Sequence, residues 1–155
     1  MTLVLWKMQV QKVTVHSCFP NSRNKRQMKK YTFKKSERLK SRKIIERLFN
    51  REGQSFATYP ILTVWLETAL GSDFPAQATF SVSKRKFKKA VQRNRIKRLM
   101  REAYRLNKPK FYDSLISKNK QVAVIFVYIA REELDFLEIE SKMKQSLKRL
   151  RRNLQ

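Results

Sequence analysis

The stretch "FSVSKRKFKKAVQRNRIKRLMREAYR", Phe80–Arg105, contains a change of pattern that decides the fold. Around its start, in "ATFSVS" (Ala78–Ser83), apolar and polar residues alternate, which predicts a β-strand with one buried face. From Lys89 to Leu106 the apolar residues recur at helical spacing instead. One arc of that helix is apolar and contains Ile96, Leu99, Met100, Ala103 and Tyr104. The stretch therefore predicts a strand followed by a helix that packs on the sheet.

The opposite face of this helix is strongly basic. Its members are Asn94, Arg95, Lys97, Arg98, Arg101 and Arg105. Between Lys84 and Lys110 the chain has 13 Lys or Arg residues and a single acid, Glu102. A helix that only has to be soluble mixes acids with bases, because like charges one turn apart repel each other. We therefore interpret this face as a binding surface for a polyanion.

The composition of the whole chain agrees with that interpretation. Its 155 residues are 41% hydrophobic, which allows one domain with a real core, yet the formal net charge is +25. Among nucleic acid, an acidic membrane surface and an acidic protein, this imbalance favours nucleic acid. Cys18 is the only cysteine, which excludes an intrachain disulfide and predicts a cytoplasmic location. No apolar run approaches the roughly 18 residues of a membrane span.

The remaining patterns predict a complete, small fold. Ser41 is placed to cap a first helix, and Gly53 follows the end of that helix. The predicted elements are a helix within 41–53, strands at 59–70 and 78–83 that form a hairpin, a helix at 89–106, a strand at 121–130 and a helix at 133–152. This order, α-β-β-α-β-α, predicts the α+β class: a small single-domain α/β sandwich with a mixed sheet and helices packed mainly on one side.

The N-terminal residues 1–28 lack these patterns. We predict that they are a disordered extension, or that residues 1–27 result from a mis-called start and translation begins at Met28. Their opening "MTLVLW" is too short for the core of a secretory signal. His16, the only histidine, lies in this region, and we assign it no catalytic role.

The residues alone leave DNA and RNA open as the polyanion. Arg93, Asn94 and Arg95 lie near the start of the basic helix, where a DNA-recognition helix reads a major groove. The same dense, fork-shaped donors also suit the closely spaced phosphates of a folded RNA.

The motif around these residues is more specific. Arg93-Asn94-Arg95 is followed by "IKRLMREAYR" and preceded by a strand ending in "SVSKR", and this segment resembles the signature of the bacterial ribonuclease P protein component. The upstream "FKKSERLKSRKIIERLF" is similar to that family's first helix and the approach to it. The resemblance covers about Lys29 to Arg152, so that 29–155 would be one ribonuclease P protein-like RNA-binding domain. It also implies a left-handed crossover to the RNR helix, against the usual preference.

The resemblance implies a function in tRNA maturation. The family's holoenzyme removes the 5′ leader of precursor tRNA, with its Mg²⁺ ions bound mainly by the catalytic RNA subunit and substrate phosphates. The implied contacts to the RNA subunit are Lys84, Arg85, Lys89, Arg93, Asn94, Arg95, Lys97, Arg98, Arg101 and Arg105. The implied cleft for the leader of precursor tRNA, between the first helix and the sheet, contains Phe33, Ile45, Phe49, Ser81 and Ser83. We expect no membrane contact and no obligate protein partner.

Two positions depart from the family pattern. Ile45 stands where the family more often has a second aromatic residue, and the loop "SKRKFKKAV" is one residue longer than common, with Lys88 near the place of the usual glycine. Before the resemblance is considered, the helical spacing of Ile45 and Phe49 favours core packing over binding.

Other functions remain as alternatives. With one histidine and scattered acids, the chain offers no arrangement for a protein nuclease, so we predict no catalytic side chain and no metal site in the protein. A structural or ribosomal RNA-binding protein without a role in tRNA processing is the main alternative. A DNA-binding regulator is disfavoured because no dimerisation seam is evident.

Overall fold

The computed structural model describes residues 31–50 and 52–154. A short 3-10 helix, Lys35–Glu37, precedes the main elements. These are α1 (Arg42–Phe49), β1 (Gln54–Thr58), β2 (Ile61–Glu67), β3 (Ala76–Val82), α2 (Ala90–Asn107), α3 (Pro109–Ser117), β4 (Val122–Tyr128) and α4 (Phe136–Asn153). The predicted extension at 1–28, with His16 and Cys18, lies outside the described residues.

The four strands form one mixed sheet in the order β1-β2-β4-β3. β2 pairs antiparallel with both β1 and β4, whereas β3 pairs parallel with β4. The chain between β3 and β4 contains α2 and α3, so the basic helix belongs to the crossover that a parallel pair requires. The left-handedness of that crossover, implied by the family, stays a prediction.

The two faces of the sheet support two separate cores. Val124, Phe126 and Tyr128 of β4 join the larger core, to which α2, α3 and α4 contribute. Ala123 and Ile125, which alternate with them, join a smaller core beneath α1. Three helices thus cover one face and one helix the other, which confirms the predicted α+β class with helices mainly on one side.

The first helix forms for the reasons the sequence suggested. The side chain of Ser41 accepts a hydrogen bond from the backbone N–H of Ile44, as an N-cap does. Leu48 is buried against the sheet, and the helix ends at Phe49 with Asn50 as its C-cap. Gly53 lies so close to the Leu48 backbone that a side chain there would collide with it.

The segment before α1 covers the outer edge of β3. The N–H of Leu39 donates to the carbonyl of Ala78 over 3.1 Å, and Gln77 donates through Nε2 to the carbonyl of Ser36, also over 3.1 Å. Arg38 pairs with Ala78 in a parallel bridge. This strand-like segment satisfies part of an edge that would otherwise be exposed.

The basic helix packs as the pattern predicted. Ile96, Met100, Ala103 and Tyr104 are fully buried in the larger core, and Leu99 packs at its margin. In α4, Ile139, Met143, Leu147 and Leu150 form the buried stripe. The predicted bounds of these two helices differ from the observed ones by one to three residues.

Three features of the predicted order were wrong. The predicted hairpin of 59–70 with 78–83 does not form, because β4 lies between β2 and β3. The partner of β2 in the hairpin is β1, which was not predicted, and Tyr59–Pro60, assigned to a strand, is the turn between them and contains a cis peptide bond. The helix α3 was also not predicted, although it starts with a proline at the position that helices favour.

Candidate nucleic-acid interface

The polar face of α2 presents its cations to solvent at several positions. Asn94, Arg95 and Arg98 are exposed, and Lys97 is partly exposed. Arg98 makes no ion pair with any described residue. All four side chains are accessible to a ligand, and Arg98 is also free of any such ion pair.

The loop from Ser83 to Lys89 extends this basic face beyond the start of α2. Phe87 is 5% exposed and packs against Tyr128, with ring centroids 5.9 Å apart, so it anchors the loop in the core. The residues around it are exposed, and they are Lys84, Arg85, Lys86, Lys88 and Lys89. Of these, Lys86 also donates to the Ile129 carbonyl. Five cations therefore surround one buried aromatic anchor, a role for Phe87 that the sequence analysis missed.

Arg93 connects the helix to this loop. Its Nη1 donates to the carbonyls of Phe87 and Lys88 over 2.8 and 2.6 Å. Hydrogen bonds from a charged donor are stronger than neutral ones, so Arg93 fixes the loop as well as adding charge. Part of the RNR motif therefore has a structural task inside the protein.

Two other basic residues of the helix are engaged within the chain. The Nε of Arg95 lies 2.9 Å from Glu133, but its side chain remains 72% exposed. Arg105 pairs with Glu102 one turn away and also donates to the Tyr31 carbonyl. This pairing raises the pKa of Arg105 and lowers the pKa of Glu102. Arg105 is thus less available to a ligand than Arg98.

Arg101 lies in a cluster of three arginines. Partial burial lowers its pKa, and the nearby charges of Arg38 and Arg98 lower it further. Its Nε is buried and has no hydrogen-bond partner among the described residues. An anion bound there would relieve the repulsion among the three arginines. Such a cluster of cations is the electrostatic arrangement expected of a phosphate-binding surface.

The residues predicted to form a cleft beside α1 differ in how they pack and how far they are exposed. Ile45 packs at the margin of the smaller core, and Phe49, four residues later on the same flank, is 60% exposed. The opposite flank is held at the Thr68 end of the sheet, where Arg47 hydrogen-bonds to the Thr68 hydroxyl.

The end of the sheet away from Thr68 carries the predicted polar residues of β3. Ser81 pairs with Val127 of β4, and Leu62 of β2 lies in the same row on the α1 face. Ser81 is exposed, and Ser83 lies just beyond the strand, where its Oγ accepts from the N–H of Arg85 over 3.3 Å. The helix α1, with Ile45 and Phe49, and the two serines thus lie on the same face of the sheet, and the serines are next to the basic loop.

Phe33 is not part of this group. Its ring packs edge-on against Phe80 and Tyr104, with centroids 5.9 and 5.7 Å away, on the face covered by α2. The guanidinium of Arg38 lies 5.7 Å from the same ring. Phe33 therefore lies at the margin of the larger core, across the sheet from Ile45.

A buried ion pair joins the N-terminal segment to the end of α2. Glu37 and Lys108 are 1% and 4% exposed and pair directly. The hydroxyl of Tyr112 donates to Glu37 over 3.1 Å, and the Lys108 ammonium lies 4.8 Å from the Tyr112 ring centre. Burial lowers the pKa of Lys108, while the Glu37 carboxylate opposes that effect. Lys108, counted within the basic segment, is thus a buried structural residue.

The comparisons with known proteins place this geometry in a family. The family model described as Ribonuclease P matches residues 33–151. The ribonuclease P protein component of Porphyromonas gingivalis is 41% identical over 123 residues, which cover 77% of this chain and 87% of the relative. The chain belongs to the ribonuclease P protein family. The resemblance drawn from the RNR segment is thereby confirmed.

Solved structures of the ribonuclease P protein share the fold. The protein from Thermotoga maritima matches with a TM-score of 0.58 at 23% identity, over 72% of this chain and 96% of that one. A mutant of the Staphylococcus aureus protein with defective mRNA degradation activity matches with a TM-score of 0.59 at 22% identity, over 75% of this chain and 89% of that one. Ribonuclease P is an endoribonuclease for tRNA 5′ maturation, and this family supplies its protein component.

The ribonuclease P family is Mg²⁺-dependent. Within residues 31–50 and 52–154, no group of three or more His, Cys, Asp or Glu side chains is placed to hold a metal ion. In the same part of the chain, no helix is long and apolar enough to cross a membrane.

Proposed function

We propose that this chain binds the catalytic RNA subunit of ribonuclease P through α2 and the loop before it, and receives the 5′ leader of precursor tRNA beside α1. The observation that carries the proposal is the continuous cationic surface formed by the exposed loop residues and the outer face of α2. Phosphates of a folded RNA lie close together, and a dense array of Arg and Lys side chains on a rigid helix complements them.

The proposed contacts differ in what they contribute. Arg98, Lys84 and Arg85 are exposed and make no ion pair with described residues, so they are assigned to phosphate contacts. Arg93 holds the loop in place through two backbone carbonyls and presents the rest of its guanidinium. The exposed amide of Asn94 can both donate and accept, which suits a sugar or base edge.

The leader is assigned to the α1 side of the sheet. An unpaired base stacked on an exposed aromatic ring gains about 1–3 kcal/mol whatever its identity, which suits leaders of varied sequence. Phe49 is the exposed ring on that side, and Ile45 supplies an apolar margin. Ser81 and Ser83 offer hydroxyls at the edge of the adjacent strand.

The division of labour follows from these assignments. The RNA subunit and the substrate phosphates hold the catalytic Mg²⁺, and the protein carries no catalytic side chain. Its cations lower the repulsion between the leader phosphates and the ribozyme, and this also favours Mg²⁺ binding by the assembled RNA. The cytoplasm, where bacterial tRNA precursors are made, is the predicted location.

Reconstitution tests the proposal. Purified protein is mixed with the cognate RNA subunit and precursor tRNA at physiological Mg²⁺, and the rate of leader release is measured. We expect leader release to be faster with the protein than with the RNA subunit alone. Tight binding to the RNA subunit without any gain in leader release would instead favour a structural RNA-binding protein.

A further inference from the structure

A groove in the molecule lies away from α1 and from the proposed leader site. It has a volume of about 600 Å³ and runs between the C-terminal end of α2, the start of α3 and the second half of α4. Leu106, Phe111 and Leu147 line its inner wall, and Tyr31, 49% exposed, lines it as well. A volume of this size lies within the ~300–1,000 Å³ range of sites that hold small organic groups, so a base with its sugar and phosphate fits.

The charge around this groove is strongly unbalanced. Lys110, Lys144, Lys148 and Arg151 line it with a single acid, Asp113. None of these five side chains makes an ion pair with any described residue. The nearest additional acid on the same helix stripe, Glu140, accepts a hydrogen bond from Asn107 over 3.2 Å. The groove thus complements an anion.

Three of the cations lie on one stripe of α4. Lys144 and Lys148 are one turn apart, and Arg151 follows three residues later, so all three project from the same side of the helix. Like charges at this spacing destabilise a helix by about 0.2–0.5 kcal/mol per pair. Beyond Glu140, which hydrogen-bonds to Asn107, this stripe has no acid to balance its three cations, and the outer face of α2 shows a similar excess of cations.

The groove is also continuous with α2. Arg105 on the last turns of the helix donates to the carbonyl of Tyr31, so the aromatic residue of the groove is attached to the end of the basic helix. An RNA strand that follows the outer face of α2 towards its C-terminus would reach the groove next.

We propose that this groove is a second binding site for the RNA subunit, in which a nucleotide stacks on Tyr31 while its neighbouring phosphates contact Lys144, Lys148 and Arg151. The proposal rests on the function proposed above, in that α2 and the groove bind the same RNA molecule.

The first test removes charge from the groove. The full-length variant Lys144→Gln/Lys148→Gln is compared with the control Lys142→Gln/Arg131→Gln. The control removes the same amount of charge from residues that do not line the groove. Affinity for the RNA subunit is measured between low and high salt. Loss of two phosphate contacts should weaken binding roughly 10-fold at about 0.2 M salt and reduce the slope of log affinity against log salt by about 1.4. Equal losses in both variants, or none in the first, would overturn the proposal.

The second test addresses stacking and separates the two proposals. Tyr31→Leu should weaken binding about 5-fold or more, because the stacking platform is lost while the apolar volume is largely kept. The variant Arg98→Gln, which removes an exposed cation from α2, is measured for comparison. If the groove does not bind RNA, the wild-type chain still binds the RNA subunit and Arg98→Gln still weakens that binding, but Tyr31→Leu binds as tightly as the wild type. Failure of the proposed function removes binding of the RNA subunit by the wild-type chain itself.

A cross-link identifies the occupant. Lys148→Cys in a Cys18→Ser background carries a photoreactive group on its single thiol. We expect cross-links to the RNA subunit, both when the protein is mixed with the RNA subunit only and when precursor tRNA is also present in the holoenzyme. Cross-links only to precursor tRNA, or only to residues 1–30 of the chain, would show that the groove has another occupant and would overturn the proposal.

Discussion

Phe49 and Ile45 lie on the same flank of α1, yet the two side chains differ in how much a ligand can reach. Ile45 packs at the margin of the smaller core, whereas Phe49 leaves 60% of its surface exposed. A phenylalanine so exposed adds little to stability, because most of its apolar surface remains in water. Its exposed position at the edge of the proposed cleft therefore favours a binding role.

We expect Phe49→Ala to weaken binding of precursor tRNA by about 1–3 kcal/mol, the range for loss of one stacked base. Mature tRNA, which lacks the leader, should bind almost unchanged. The measurement is the affinity of reconstituted holoenzyme for both RNAs. Ile116→Ala truncates an apolar side chain of similar exposure, 55%, on α3 and serves as the control. Equal losses for both RNAs would place Phe49 in a structural role.

The Glu37–Lys108 pair gives a prediction about stability. Lys108→Met should cost about 3–5 kcal/mol, because it leaves a buried carboxylate without its cation. The double variant Glu37→Leu/Lys108→Met removes both charges and should recover most of that loss. Chemical denaturation of the two variants and of Glu37→Leu alone measures the coupling. If the double variant is less stable than Lys108→Met, the pair is not coupled as its geometry indicates.

Tyr112 predicts how stability changes at alkaline pH. Burial raises the pKa of Tyr112, and it raises the pKa of Tyr104 in the same way. In the unfolded chain a tyrosine ionises near pH ~10. Above that pH the folded state therefore holds more protons than the unfolded state, and stability falls as pH rises, by about 1.4 kcal/mol per pH unit for each tyrosine.

Tyr112→Phe isolates this effect. At pH 8 the variant should be less stable by about 1–3 kcal/mol, because the single hydroxyl proton that Tyr112 shares between the Glu37 carboxylate and the Ala76 carbonyl is lost. Above pH ~10 the deficit should shrink by about 1.4 kcal/mol per pH unit, since only the wild type loses the contribution of Tyr112. Deprotonation of the many lysines affects both proteins equally and cancels in the difference. A constant deficit from pH 8 to 11 would contradict the prediction.

At the scale of elements, α2 and its preceding loop act as one unit, and two arginines of the helix should separate its tasks. Arg98→Gln should reduce the salt slope of RNA-subunit binding by about 0.7 and leave stability unchanged. Arg93→Gln should reduce the slope too. It should also lower the free energy of unfolding by about 1.5–3 kcal/mol, because it loses the two hydrogen bonds that fix the loop. Denaturation and salt-dependent binding distinguish them. Identical behaviour of the two variants would be inconsistent with the observed contacts of Arg93.

The elements also show which parts of the fold a sequence can predict. The helices α1, α2 and α4 and the strand β4 were predicted because each carries a periodic or continuous apolar pattern of its own. β1 was missed because its five residues contain one large apolar side chain, Phe56. The wrong β2–β3 hairpin arose because neighbours along the chain were assumed to pair, whereas the pairing depends on β4, which follows both in sequence.

The candidate site was predictable to a similar degree. The basic face of α2 followed from spacing and charge, and its family resemblance from the RNR segment. Spacing could not show that Lys108 is buried against Glu37, or that Phe33 lies across the sheet from Ile45, because both depend on contacts between distant segments. The sequence did carry a signal for Phe87, which is a lone aromatic residue among five cations. Such a residue is more easily explained as an anchor than as part of a charged surface.

At the scale of the whole molecule, the net charge of +25 should give salt opposite effects on folding and on binding. Self-repulsion among the cations destabilises the free protein, and salt screens it. Added KCl should therefore raise the melting temperature of the free protein, whereas it weakens the RNA complex by reducing the gain from counterion release.

The measurement is thermal unfolding of the free protein from low to high KCl. A gain of about 1 kcal/mol corresponds to a rise of roughly 2–8 °C for a domain of this size. The variant Lys110→Gln/Lys144→Gln/Lys148→Gln carries three fewer charges, none of them paired with a described residue, and should show a smaller rise. The RNA subunit, added at low salt, should stabilise the wild type far more than KCl does, because it binds the folded state specifically. A melting temperature that does not depend on KCl would mean that the cations are already neutralised within the fold, and the electrostatic argument for a polyanionic partner would then lose its basis.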